Sequence, residues 1–246
     1  MNFQIAAQGR SFKGAIAYYT HDKRVPGPEG GAAASGPHPA SSERVAWTET
    51  RNITSDRPEV ATRIMIATAE QADQLKAEAG IAATGRKAQK PVLAYSLAWH
   101  PTEAGKLDRT EMSRAANDSL RVLGLEKHQA VIVAHRDTAH PHVHVIVNRV
   151  SPEDGRMAKI DPPRVRALDR WANEYEKARG AVVSPKRAAK YEGVAEKQRQ
   201  YPDPEVRRAH VKEKAAGRAQ AAQERQKAVS GAIILVRVAQ GRSGGL

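Results

Sequence analysis

The feature that most constrains the fold is the segment VIVAHRDTAHPHVHVIVNRV at residues 131–150. Two apolar runs rich in β-branched residues, QAVIVAH (129–135) and HVHVIVNRV (142–150), flank a short polar turn. This pattern predicts two adjacent antiparallel strands. The segment also contains a cluster of the chain's nine histidines. Imidazole is costly to bury unless it is hydrogen-bonded or binds a metal, so the cluster indicates a site.

Strand geometry predicts how these histidines are arranged. Successive side chains of a strand point to opposite faces of the sheet. His142 and His144 therefore share one face with Asn148, whereas the intervening valines line the other face. His135 ends the preceding strand, across a short turn from the other two histidines. The sequence thus predicts three imidazoles that converge from two neighbouring strands.

Three converging imidazoles predict a metal site. The chain has no cysteine, so thiolate ligands are excluded. The expected cations are Mg²⁺, Mn²⁺ or Zn²⁺, with coordination positions open to water or substrate. Asp137 lies in the same turn and is predicted to orient a ligand or to accept a proton. The alternative interpretation of an H-x-H pair on a strand is a set of surface histidines.

Charge points to an anionic partner. The formal net charge is +13 and the sequence pI is about 10.1, which favours nucleic acid. A basic tail that only aids solubility is the alternative. The absence of cysteine favours a reducing compartment, and we expect a cytoplasmic protein. Membrane insertion is not expected, because no stretch reaches the roughly 18 apolar residues that a span requires.

Periodicity predicts an α+β domain with a central, largely antiparallel sheet and helices packed mainly on one face. Ser11 is expected to cap the first helix, Gly80 to end the second and Thr110 to cap the third. Segment 45–53 is either strand or loop. The predicted strands are 2–7, 91–100, 129–135 and 142–150, and the predicted helices are 11–23, 57–79, 110–125 and 162–179.

Composition predicts two regions. Residues 1–183 form the folded domain, with a Gly/Pro-rich insert at about 25–42. Residues 184–246 form a basic, charged tail that is poor in large apolar side chains. Such a tail is typical of exposed helix or disorder.

Two tyrosines, Tyr18 and Tyr19, lie on the short helix after the first strand. A phenol has an unperturbed pKa of about 10, so it is a poor nucleophile at neutral pH unless a base or metal assists it. A metal in a basic protein suggests phosphate chemistry, in which either a tyrosine or water attacks. The alternative is one core ring and one surface ring.

The combination resembles a known family. The spacing His135-x-Asp137-x₄-His142-x-His144-x₃-Asn148 resembles the three-histidine motif of plasmid mobilisation relaxases, which belong to the HUH endonuclease superfamily. AHRDTAHPHVHVIVNRVSPEDGR is close to the form in the MobA/VirD-type branch, which includes the tumour-inducing plasmid relaxases. GRSFKGAIAYYTHDK resembles the tyrosine motif of that branch. The resemblance covers residues 1–180.

This resemblance implies a DNA strand transferase. The histidines would hold Mg²⁺ or Mn²⁺ at the scissile phosphate of single-stranded or hairpin DNA from a plasmid transfer origin. A tyrosine would attack and form a 5′-phosphotyrosyl link during conjugative mobilisation. Tyr18 is favoured, because the position after the family's tyrosine varies and is often aliphatic. Accessory relaxosome proteins and a type IV secretion coupling protein are the implied protein partners.

Contacts with DNA are expected from basic and polar side chains near these motifs. The candidates are Lys13, Lys23, Arg24, Asn148 and Arg149.

Three alternatives remain open at this point. One is another HUH nickase, acting in rolling-circle replication or transposition. Another is a metallohydrolase that activates water and forms no covalent intermediate. The last is a basic DNA-binding accessory protein whose histidines bind metal only structurally.

Overall fold

The computed structural model describes residues 1–21, 44–82, 89–180, 184–200 and 203–241. The chain divides into two compact units, Met1–Ala188 and Ala189–Leu246. The predicted insert at 25–42 lies outside the described residues. The predicted functional boundary between residues 183 and 184 stays a prediction. No helix in the described part of the chain is long and apolar enough to cross a membrane.

The first unit is built on a five-stranded sheet in the order β1-β3-β5-β4-β2, with every neighbouring pair antiparallel. The strands are β1 (Asn2–Ile5), β2 (Val45–Arg51), β3 (Val92–Ala98), β4 (Ala130–His135) and β5 (His142–Asn148). The helices are α1 (Phe12–Thr20), α2 (Pro58–Glu70), α3 (Ala72–Glu78), α4 (Arg109–Val122), α5 (Pro162–Ala178), α6 (Pro185–Gln200) and α7 (Pro204–Gly241), with a 3₁₀ helix at Pro101–Lys106. The predicted antiparallel α+β class is confirmed.

One face of the sheet carries the larger hydrophobic core, and we call it the valine face. It consists of the side chains of Leu93, Tyr95, Leu97, Ile132, Val143, Val145 and Val147. Helices α4 and α5 cover it with residues such as Leu120 and Leu168, both of which are buried. Its few polar groups are hydrogen-bonded: the Tyr95 hydroxyl, for example, lies 2.7 Å from the Ser119 hydroxyl.

The opposite face carries a smaller core, and we call it the histidine face. It consists of the side chains of Val92, Val131, Val133, Ile146, His135, His142 and His144. Phe12 and Ile16 of α1 and Ala61 and Met65 of α2 pack on its apolar part. Helices therefore cover both faces, and those on the histidine face adjoin the predicted metal ligands.

The predicted elements agree with the structure apart from details at their ends. Ser11 caps α1 by accepting a hydrogen bond from the Gly14 N–H at 3.0 Å. The predicted helix 57–79 is interrupted at Gln71, which is the C-cap of α2 and the N-cap of α3. The prediction of Thr110 as N-cap is wrong: Asp108 caps α4 and accepts from the Glu111 N–H at 2.7 Å. A carboxylate at the N-cap is also favoured by the helix dipole.

The second unit contains most of α6 and all of α7. Of the two states predicted for the tail, helix is therefore the one found over its described residues. Valines of these helices, such as Val206 and Val211, are exposed.

Candidate active site

The β4–β5 hairpin brings the three predicted metal ligands together. His135 pairs directly with His142 at the turn end of the hairpin, and His144 pairs with Val133, the second pair from His135–His142 along the strands. Because residues paired directly across an antiparallel sheet share a face, all three rings lie on the histidine face. Their ring centroids are 4.6–5.1 Å apart. One ligand nitrogen from each ring lies within 4.8 Å of those of the other two.

The hydrogen bonds of these rings fit a cation. His135 Nε2 donates to the Tyr19 carbonyl at 2.6 Å, and His142 Nδ1 donates to the His140 carbonyl at 2.9 Å. A carbonyl oxygen only accepts, so each of these nitrogens carries a proton. When both rings are neutral, the form that binds a metal, the remaining nitrogens, His135 Nδ1 and His142 Nε2, face each other as lone pairs at 3.2 Å. A divalent cation bound by both would remove this repulsion, so the donor set fits a metal.

Burial keeps two of the three imidazoles neutral. Burial is the main cause that lowers the pKa of His144 to about 3, and nearby His135, His142 and Arg44 lower it further. Burial also lowers the pKa of His135, although its hydrogen bond to the Tyr19 carbonyl opposes the shift. A metal ligand must be the neutral imidazole. Both rings are therefore ready to bind a metal at neutral pH without losing a proton first.

Asp137 lies where a supporting carboxylate would be useful. Its Oδ1 is 3.8 Å from His142 Nε2, and about a third of its side chain is exposed. The oxygen is too distant for a direct hydrogen bond. This carboxylate oxygen lies beside the converging nitrogens, as a fourth atom of a type that binds metals. Its position supports the prediction that Asp137 orients a ligand or accepts a proton, and that role stays a prediction.

The two tyrosines are in different environments at the C-terminal end of α1. The Tyr19 ring stacks on His144, with centroids 4.3 Å apart and planes 26° from parallel. Burial is the largest cause that raises the pKa of Tyr19, Tyr18 adds to it and the Arg44 cation opposes it. The Tyr18 side chain is 57% exposed, and its ring meets the Tyr19 ring edge-on at 5.0 Å. Helix α1 thus brings the Tyr19 ring against the histidine cluster and leaves the Tyr18 ring exposed.

Arg44 is a charged residue of this site that the sequence analysis missed. Its side chain is buried, with 8% exposed, and Nη2 donates to the Tyr18 carbonyl at 2.7 Å. Its guanidinium carbon lies 5.9 Å from the centroid of the Tyr18 ring. No local pattern marks Arg44, because its contacts reach residues 26 positions away in sequence.

The residues predicted to contact DNA differ in their exposure to solvent. Lys13 is exposed on α1, whereas Lys23 and Arg24 lie outside the described residues. Asn148 is fully buried, and its amide donates to the Met65 carbonyl and to the Gln129 side chain, both at 3.1 Å.

Arg149 is also buried, at 5% exposure. Its guanidinium donates to the Ala158 and Lys90 carbonyls and to the Gln8 side chain. A direct DNA contact by Asn148 or Arg149 therefore does not fit this structure. Both side chains instead hold the inner end of β5 to its surroundings.

Comparison with known proteins agrees with this geometry. A sequence model described as "Relaxase: MobA/VirD2-like, nuclease domain" matches residues 34–181, which is more than half of the chain. The match includes the three histidines and begins after both tyrosines. The chain is also similar to Protein MobA of Acidithiobacillus ferrooxidans, with 34% identity over 67 residues. That alignment covers 27% of this chain and 16% of the relative's length. The chain belongs to the family of MobA/VirD2-like relaxase nuclease domains.

Proposed function

We propose that this protein is a relaxase that nicks one DNA strand at a plasmid transfer origin and remains covalently attached to it. The observation that carries the proposal is the stack between Tyr19 and His144, at 4.3 Å between ring centroids. It joins the helix that bears both tyrosines to the three-histidine cluster. Family membership supports the nuclease part of the proposal.

We assign the nucleophile to Tyr18. Its ring is exposed enough for its hydroxyl to meet a DNA phosphate, and it lies one ring away from the cluster, through Tyr19. Tyr19 is half-buried, and its raised pKa disfavours the phenolate. We therefore assign Tyr19 to the wall of the site, where it supports the position of His144.

The proposed step is a transesterification. The Tyr18 hydroxyl oxygen forms a bond to the scissile phosphorus and loses its proton, while the bond from phosphorus to the 3′ oxygen breaks. The 3′ oxygen leaves as a hydroxyl after it gains a proton, and the 5′ side stays linked to Tyr18. One phosphodiester replaces another, so the reaction is reversible and the strand can be rejoined. Asp137 is the nearby carboxylate that we propose accepts a proton or orients His142.

His135, His142 and His144 are the residues that would hold a divalent metal, for which we favour Mg²⁺ or Mn²⁺. When bound there, such a cation would withdraw charge from the non-bridging phosphate oxygens. The hairpin contributes rigidity: two of the three ligands lie in one strand and the third is paired to it. Rigid ligands reduce the reorganisation that the reaction requires.

The proposed substrate is single-stranded or hairpin DNA. Lys13 is an exposed cation on the same helix as the tyrosines, and we assign it to a backbone phosphate. Such a contact contributes affinity that decreases with salt and does not read sequence. Accessory relaxosome proteins, a type IV coupling protein and a cytoplasmic location complete the proposal.

A denaturing gel tests the function and the nucleophile together. The protein is incubated with labelled single-stranded transfer-origin DNA and Mn²⁺ or Mg²⁺, beside Tyr18→Phe, Tyr19→Phe and His142→Ala. We expect a slowly migrating covalent band in the wild type and in Tyr19→Phe, and none in Tyr18→Phe or His142→Ala. Cleavage without a covalent band in any lane would indicate attack by water. A band lost in Tyr19→Phe but kept in Tyr18→Phe would transfer the nucleophile to Tyr19.

A further inference from the structure

The C-terminal end of α1 has carbonyl groups that the helix itself cannot satisfy. The last four carbonyls of any α-helix lack an intrahelical donor. In α1 the Ala17 carbonyl accepts the His21 N–H at 3.0 Å. The next two carbonyls belong to Tyr18 and Tyr19, and both accept hydrogen bonds from side chains of the candidate site.

These two bonds connect the helix to the hairpin. His135 Nε2 donates to the Tyr19 carbonyl at 2.6 Å, and Arg44 Nη2 donates to the Tyr18 carbonyl at 2.7 Å. Positive charge at a helix C-terminus is also favoured by the helix dipole. The end that bears the tyrosines is therefore capped by one proposed metal ligand and one arginine.

Arg44 is itself fixed to the same hairpin. Its backbone carbonyl accepts the Arg136 N–H at 2.8 Å. The next residue, Val45, begins β2 and pairs with His135. Arg44 thus bridges the edge of the sheet beside His135 and the end of α1. A movement of α1 away from the hairpin would break this bridge.

The burial of Arg44 shows that the bridge is not a surface contact. Its side chain is 8% exposed, and its Nε is buried with no hydrogen-bond partner among the described residues. Burying a guanidinium in this way costs free energy. Among the described residues, its guanidinium is hydrogen-bonded to the Tyr18 carbonyl and lies 5.9 Å from the centroid of the Tyr18 ring.

We propose that Arg44 is a positioning residue for strand cleavage, an inference that rests on the proposed function. Its guanidinium holds the Tyr18 carbonyl and so keeps the end of α1 against the histidines. The Tyr18 ring then stays within reach of a phosphate bound there. Arg44 acts through the backbone of Tyr18 and does not contact the phosphate.

The first test reads helix position without metal or DNA. Because the Tyr19 ring stacks on His144, its ring current shifts the His144 ring protons upfield in the NMR spectrum. Tyr19→Leu defines the resonance position without this effect. We expect Arg44→Met to move the His144 protons in the direction of Tyr19→Leu, and Arg44→Lys to restore part of the shift. Arg44→Lys also serves where Arg44→Met fails to fold.

Arg164 offers a matched control on the other side of the sheet. Its guanidinium donates to the carbonyl of Leu123, the C-cap of α4. Arg164→Met therefore removes the same kind of helix-end bond away from the histidines. We expect it to leave the His144 resonances and the rate of adduct formation unchanged.

The second test measures adduct formation with transfer-origin DNA at saturating Mn²⁺. We expect Arg44→Met to lower kcat by about 100-fold, the cost of misplacing a reacting group by about 1 Å. The KM for DNA should stay near the wild-type value, because Arg44 does not bind the strand. A rise in KM at unchanged kcat would overturn the positioning role in favour of direct phosphate binding.

The two tests separate this inference from the proposed function. Unchanged His144 resonances in Arg44→Met, or an equal loss of kcat in Arg164→Met, would overturn the inference. The proposed function would still stand in either case if the wild-type protein forms a covalent adduct with DNA. Failure of the wild type to form an adduct on any DNA would overturn the function. The NMR comparison would then still decide whether Arg44 holds the helix.

Discussion

The two faces of the β4–β5 hairpin carry different kinds of side chain on the same backbone. On the valine face, Val143, Val145 and Val147 are fully buried under α4 and α5. On the histidine face, the alternating positions of β5 hold His142 and His144 near the turn and Ile146 further along the strand. The apolar face stabilises the fold by burying surface. Since that face is sufficient for one core, the other face is free to carry ligands.

On the histidine face, the position of a polar residue along β5 decides whether its side chain is accessible or buried. The histidines occupy the end of the hairpin nearest the turn, where α1 supplies carbonyl and aromatic partners. At the inner end of the same face, Asn148 is fully buried and hydrogen-bonded within the protein. A polar residue on this face is therefore available to a ligand near the turn and structural at the opposite end.

The largest expected effect is a loss of Mn²⁺ affinity, and it should distinguish substitutions at two adjacent positions that lie on opposite faces. His144→Ala should weaken Mn²⁺ binding by more than about 100-fold, the upper end of the loss seen when a residue that supports a ligand is removed. Its thermal stability should change little. Val145→Ala, one residue along on the valine face, should bind Mn²⁺ normally and melt at a lower temperature. Titration calorimetry and thermal melts of both variants measure this, and equal Mn²⁺ affinity in the two variants would contradict the assignment.

Acid should destabilise the histidine face specifically. The pKa of His144 is about 3 in the folded protein against 6.5 for an ordinary histidine. Between these values the unfolded chain binds a proton that the folded protein does not. The lowered pKa therefore leaves stability unchanged above pH 6.5 and reduces it as the pH falls from 6.5 to about 3. The loss is at most about 5 kcal/mol, at roughly 1.4 kcal/mol per pKa unit.

Urea unfolding between pH 7 and pH 4 measures this acid sensitivity in the metal-free protein. His144→Ala serves as the matched control, because it retains the remaining titratable groups. Its free energy of unfolding should decline less steeply with falling pH than that of the wild type. Parallel pH dependence in the two proteins would show that His144 does not titrate as described.

A cavity under the valine face should lower the free energy of unfolding and leave Mn²⁺ affinity unchanged. Leu120 is 2% exposed on α4, and Leu→Ala at such sites costs about 2–5 kcal/mol. Leu120→Ala should lower the free energy of unfolding by this amount. Under conditions where the variant is folded, its Mn²⁺ affinity should equal that of the wild type. A large loss of affinity would mean that the two faces are coupled through the sheet.

The smallest effect compares helix caps on the two faces. Ser11 caps α1 and Asp108 caps α4, and replacement of either by alanine should cost about 1 kcal/mol of stability. Only Ser11→Ala should also slow adduct formation, because α1 carries the tyrosines. Chemical unfolding and the adduct assay measure the two properties. Equal adduct rates in the two variants would show that fraying at the N-terminus of α1 does not affect the end that carries the tyrosines.

Much of the fold was predictable because its signals are local. Apolar runs rich in β-branched residues at 129–135 and 142–150 predicted two strands, and the two-residue period of a strand put His142 and His144 on one face, as the structure has them. The break at Gln71 was not predictable, because the apolar spacing continues through it. Thr110 was mistaken for a cap because Asp108, two residues earlier, was equally compatible with the local pattern.

The sequence by itself determined the hairpin and its three imidazoles, since the residue spacing and the two-residue period of a strand are sufficient to bring them together. Only the tertiary structure decided the surroundings of that hairpin. Burial of Asn148 and Arg149, the stack of Tyr19 on His144 and the Arg44 bridge to Tyr18 all depend on contacts between distant segments. Side-chain periodicity describes one element at a time, whereas these contacts arise from the packing of α1, β2 and the hairpin against one another.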